Sequence, residues 1–120
     1  MSKVKPASTH EENKRLLMAE CMEVYASRLI NGQWTLAICC YLAHGKMRFG
    51  ELKKLLGTIT DRMLTLELRK MEDNGLVLRN VYAEVPVRVE YELTDIGKDL
   101  IPVIRMLDKW GQKHKALFDK

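Results

Sequence analysis

Three cysteines are too few, and odd in number, to staple a chain of 120 residues, and two of them, Cys39 and Cys40, are adjacent. A disulfide framework is excluded, and without a second Cys or His pair at ligand spacing no structural metal site is expected. Long apolar runs are missing as well. The longest nearly apolar stretch, Trp34 to Ala43, falls well short of the roughly 20 residues that cross a bilayer. The polar segment from Met1 to Arg15 has no apolar centre of the kind a secretory signal needs, and a cytoplasmic protein is the expectation. Repeats, low-complexity tracts and Pro/Gly/Ser-rich linkers are absent, so residues 1–8 are expected to be a flexible N-terminus and residues 9–120 one domain. A catalytic constellation is lacking too. His10, His44 and His114 stand apart near expected helix ends, and no nucleophile sits beside a base in a recognisable motif. Neither an enzyme nor a cofactor is expected.

What is present describes a folded chain, since 47% hydrophobic and 30% charged residues argue against intrinsic disorder. The net charge of +4 is unevenly spread. Between Lys46 and Arg88 there are nine Lys/Arg against six Asp/Glu, while the flanks together hold eleven against ten. Three of the four excess positive charges therefore lie in one segment, a mild attraction for a polyanion.

Hydrophobic spacing and helix punctuation predict the elements. A helix from about Glu11 to Ile30, interrupted near Cys21, stops at Asn31-Gly32. A second, apolar almost all round and hence buried on most sides, runs from Gln33 to about Ala43 and carries Cys39 and Cys40 as packing residues. After a very short strand at Met47 to Phe49, a third helix covers Gly50 to Leu56, with Leu52, Leu55 and Leu56 as its buried face. Gly57-Thr58-Ile59 is a tight turn, Thr60 an N-cap, and the fourth helix extends to Asn74 before Gly75. Two short helices joined by such a turn make a helix-turn-helix. Leu76 to Ala83 and Arg88 to Leu93 form an antiparallel hairpin. Thr94 caps a last helix from Asp95 to about Phe118, in which Pro102 is expected to cause a kink. The predicted class is mainly α with a small β-hairpin, an α+β winged helix-turn-helix with extra N- and C-terminal dimerisation helices. Leu16, Leu17, Ile101, Ile104 and Trp110 are the candidate residues of a homodimer interface, with packing inside the chain as the alternative for each of them.

On the fourth helix Leu64, Leu68 and Met71 form one stripe that must face the core, and Arg62, Thr65, Leu66, Arg69 and Asp73 lie opposite. A major groove admits one helix, whose N-terminal half meets base edges while hydroxyls and amides hold phosphate. Thr58 and Thr60 are the phosphate candidates. Arg62 suits guanine, because its planar fork matches two acceptors, and Leu66 suits a thymine methyl. Lys53 and Lys54 on the preceding helix, with Arg79 and Arg88 on the hairpin, are candidates for the duplex backbone. A solvated surface of mixed charge is the alternative for each of these residues. The rival for the whole is a winged helix serving protein–protein interaction, and Glu67, Glu72 and Asp73 dilute the positive signal on the helix in its favour.

These residues also carry a resemblance. LINGQW after Cys21, GKMRFGELKK, the RMLT..LR helix, the VP.RVEY wing, the LT..G cap and the DKWG segment resemble the HxlR-type winged helix-turn-helix family from Cys21 to about His114. The resemblance implies a dimeric repressor or activator that reads a palindromic operator in double-stranded DNA. It further implies a possible thiol sensor at Cys21, answering a small electrophile or oxidant. Met22 replaces the family's usual proline, NGQW replaces GGKW, and the last helix has no cysteine to bridge to Cys21 of another subunit. Packing remains the alternative role for Cys21.

Overall fold

The computed structural model describes residues 21–119, so Leu16, Leu17, His10 and the N-terminal segment 1–8 lie outside the described residues. The chain divides into two compact units between Asn31 and Gly32. The described part of the first contains one helix, α1 (Met22–Leu29), which begins after Cys21.

The second unit runs α2 (Thr35–Leu42), β1 (Met47–Arg48), α3 (Phe49–Leu56), α4 (Asp61–Asp73), β2 (Val77–Tyr82), β3 (Arg88–Leu93) and α5 (Asp95–Phe118). Glycines set two of its boundaries. Gly57 (φ 73°) ends α3 and Gly75 (φ 74°) follows α4, a left-handed conformation that a Cβ makes costly. Thr60 caps α4 as expected, its hydroxyl oxygen accepting from the Met63 N–H at 3.1 Å. α5 continues through Pro102 as one helix. Among the described residues no helix is long and apolar enough to cross a membrane.

The three strands form an antiparallel sheet in the order β1-β3-β2, with Val77 opposite Leu93 and Arg79 opposite Tyr91. Side chains alternate across a strand, so buried Val77 and Leu93 define the inner face, and Arg79 and Tyr91 share it. α2 is the central packing element, touching α3, β3 and α5. The core joins Ile38, Cys39 and Leu42 of α2 to Leu52, Ile59, Leu64, Leu68, Met71, Leu76, Val77, Leu93 and Ile104.

Three apolar residues depart from the expected pattern. Leu55 is exposed while Leu52 is fully buried, because an eight-residue helix buries only one narrow stripe against its neighbours. Cys40 is exposed although Cys39 beside it is buried, since α2 is not covered on all sides. Ile104 belongs to the chain's own core, which removes it from the candidate interface; Ile101 packs partly against that core, and Trp110 remains 64% exposed.

The LT..G segment has a mechanical explanation. Thr94 accepts from the Gly97 N–H at 3.0 Å and donates to the Gly75 carbonyl at 2.6 Å. A Cβ at residue 97 would collide with the carbonyl oxygen of Leu76, so only glycine lets α5 start against the end of α4.

Candidate nucleic-acid interface

The turn between α3 and α4 is held at both levels. Inside, Ile59 is buried; outside, Lys53 Nζ lies 2.7 Å from the Asp61 carboxylate. An exposed ion pair of this kind stabilises by about 0–1 kcal/mol, so the buried Ile59 is the main anchor of the turn. Lys53 is thus engaged within the helix-turn-helix, whereas Lys54 is exposed and has no ion pair among the described residues.

α4 is amphipathic in the expected sense. Leu64, Leu68 and Met71 are buried, and Arg62, Thr65, Leu66, Arg69 and Asp73 are exposed. Met63, which sequence reasoning did not single out, also lies outward and 45% exposed. Arg62 and Arg69 form no ion pair with a described carboxylate. Thr65 donates its hydroxyl proton to the Asp61 carbonyl at 2.8 Å. Thr58 is exposed beside the Thr60 cap, and the hydroxyl proton of Thr60 is left to donate outward because its oxygen serves Met63.

Glu67 departs from the sequence reading, in which it diluted the charge of the outer face. It is buried, accepts the Thr35 hydroxyl proton, and lies 3.4 Å from Lys70 Nζ. A carboxylate removed from water requires such partners. The i+3 step from Leu64 to Glu67 signals the inward face, but sequence alone reads a glutamate as surface.

The hairpin treats its two arginines differently. Arg88 donates to Glu84 at 2.7 and 3.1 Å and to Glu90 at 3.1 Å, and its guanidinium lies 3.9 Å over the Tyr82 ring. The hydrogen bond to Glu84, reinforced by the charges of Glu84 and Glu90, holds its pKa above the ordinary arginine value. Arg88 therefore braces the wing and is not an open cation at its tip. Arg79 instead faces α4, where Thr65, Arg69 and Glu72 on the helix and Arg79 and Tyr91 on the sheet line a trough of about 300 Å³.

On the outer half of α5, Val103, Leu107 and Trp110 are exposed, and His114 stacks between Trp110 and Phe118 at centroid distances of 5.3 and 4.6 Å. Of the thiols, Cys21 is half-buried, and burial pushes Cys39 up to about 11. Among the described residues no cluster of side chains fits a metal ion.

Residues 29–117, which include this short helix, turn, amphipathic helix and braced hairpin, match a family model described as HxlR-like helix-turn-helix. The chain belongs to the HxlR-like family. It is 47% identical over 92 residues to the HTH-type transcriptional regulator YdeP of Bacillus subtilis (strain 168), covering 77% of this chain and 72% of that protein. Among solved structures, the redox regulator HypR in its reduced form superposes with a TM-score of 0.75 at 37% identity, over 79% of this chain and 94% of that one. The reduced transcriptional regulator YodB of B. subtilis gives a TM-score of 0.70 at 31% identity, over 78% and 92%. HxlR-like membership places the chain among transcriptional regulators of the helix-turn-helix type and makes the winged-helix architecture a family property.

Proposed function

We propose that this HxlR-like protein binds double-stranded DNA sequence-specifically as a homodimer and regulates transcription by occupying a palindromic operator. The observation that carries the reading is the outer face of α4, where Arg62, Thr65, Leu66 and Arg69 are exposed behind a turn bridged by Lys53 and Asp61. α4 enters the major groove with Arg62 toward a guanine and Leu66 toward a thymine methyl. Thr58, Thr60 and Lys54 meet the backbone on one side of the helix. A two-fold dimer formed through α5, with Ile101 at its edge and Trp110 at its centre, spaces the two recognition helices about one DNA turn apart.

HypR and YodB are described as a redox regulator and a transcriptional regulator, the latter also solved after diamide treatment. On that likeness, Cys21 is proposed as the thiol that answers an oxidant or electrophile.

Fluorescence anisotropy on duplexes from the upstream intergenic region, at two salt concentrations and with or without diamide, tests both parts. Saturable binding that weakens with salt and is lost in Arg62→Ala supports the DNA reading. Release by diamide that disappears in Cys21→Ser supports the switch. No binding to any duplex favours a protein-interaction module, for which the exposed Met63 and Leu66 would be the contact.

A further inference from the structure

Thr65, Arg69 and Glu72 follow one another at i, i+4 and i+7 along one face of α4, and the cross-strand pair Arg79 and Tyr91 stands opposite. The trough between them, about 300 Å³, is at the lower end of the range of small-ligand pockets. Two guanidinium groups and one carboxylate leave it one positive charge in excess.

Its donors are uncommitted. Among the described residues neither Arg69 nor Arg79 has a carboxylate within ion-pair distance, and the Tyr91 hydroxyl has no hydrogen-bond partner. Arg88, on the same hairpin, shows the contrast: it is neutralised by two glutamates and covered by a tyrosine ring. The Thr65 proton already goes to the Asp61 carbonyl, so Thr65 is wall and not donor. What converges is a pair of planar forks, each able to hold two oxygens of one anion, with a phenol beside them.

We infer that the trough between α4 and the hairpin is an oxyanion site that takes a single carboxylate or phosphate-ester group between Arg69 and Arg79, with Tyr91 as a third donor. Glu72 lowers the positive charge of the site from two to one, so it weakens the hold on any anion, and more for a dianion than for a monoanion. The anion has two sources, a free small organic acid or a phosphate of the DNA backbone. The link to DNA rests on the function proposed above, whereas the site itself does not.

The full chain is titrated with benzoate and with phenyl phosphate, followed by nitrogen–proton NMR that includes the arginine Nε–H signals. Arg69→Gln, Arg79→Gln, Glu72→Gln and, as a control, Lys98→Gln at the exposed start of α5 are compared, with circular dichroism to show that each is folded. Saturable shifts at Arg69 and Arg79 are expected, weakened at least about tenfold in either arginine variant, the loss of one charged hydrogen bond. Glu72→Gln should bind more tightly and Lys98→Gln equally well. Displacement of a duplex by either anion, lost in Arg69→Gln, identifies the free acid as the source. If neither anion saturates but each arginine variant lowers the salt slope of duplex binding by about 0.9, the source is a DNA phosphate. Anion binding without duplex binding keeps the site and removes the DNA reading. Unsaturable anions together with duplex binding indifferent to both arginines, or equal weakening in Lys98→Gln, overturn the inference.

Discussion

The Thr35 hydroxyl, at the first residue of α2, donates to the carboxylate of Glu67 in the middle of α4. This links the central packing helix to the helix that presents Arg62 and Arg69, and it does so from inside the protein. Glu67→Ala removes the buried acceptor of the Thr35 hydroxyl and one of the partners of Lys70, so it is expected to lower stability by about 1–3 kcal/mol. Glu67→Gln keeps an acceptor oxygen and should cost less. Urea unfolding of the two variants checks the order, and equal losses would show that charge, not hydrogen bonding, is what the site requires.

Two glycines of α5 should respond in opposite directions to alanine. At Gly97 the new Cβ meets the Leu76 carbonyl, and forcing atoms into a packed joint costs about 1–3 kcal/mol. At Gly111 nothing lies within 4 Å, and alanine inside an exposed helix should stabilise by about 0.5–1 kcal/mol. Thermal melts at a protein concentration held constant read both changes.

The cysteines should separate by reactivity. With Cys39 raised to about 11 by its burial and then by the charges of Cys40 and Glu67, a thiol reagent at neutral pH is expected to modify Cys21 and Cys40 in the native protein and Cys39 only after unfolding. The same shift predicts a pH effect. Because the folded-state value lies above the unfolded one, Cys39 contributes its full stability below pH 9 and loses it as pH rises from 9.0 towards about 11. Cys39→Ala should flatten the alkaline fall in stability relative to the native chain; an identical fall in both would overturn the assignment.

Arg62 and Arg88 should differ in what they do to DNA binding. Removing a bidentate base contact costs about 1–3 kcal/mol on the cognate duplex and little on random DNA. Arg62→Ala is expected to behave so in an anisotropy titration. Arg88→Ala removes a brace of the wing, and the expected result is a similar loss on both duplexes.

Most of the fold was legible because its signals are local. Thr60 and Thr94 as caps, Gly57 and Gly75 as terminators and the alternation of the hairpin act within a few residues of themselves. The site was legible only in part, because partners chosen across the chain decide what a charged side chain does. Arg88 and Arg79 look alike in sequence, yet one is neutralised by Glu84 and Glu90 and the other faces α4. Glu67 reads as solvent-exposed until Thr35, 32 residues earlier, is brought against it. Ile104 and Cys40 fail for a related reason. Periodicity says that a helix has an apolar face, but the neighbouring elements decide how wide a strip of it is covered.

The contact between Thr94, Gly97 and the Gly75–Leu76 backbone also ties two helix ends to one short stretch of chain. Gly75 and Leu76 close α4 at one end, with the Leu76 N–H bonded to the Met71 carbonyl at 2.9 Å, and the Thr94 N–H bonded to the Leu76 carbonyl at 3.0 Å opens α5. The two helix ends therefore meet at a joint made of backbone, closed on the α5 side by Gly97. One substitution at that joint disturbs the end of α4 and the start of α5 together, so a few backbone atoms decide whether both helix ends keep their places.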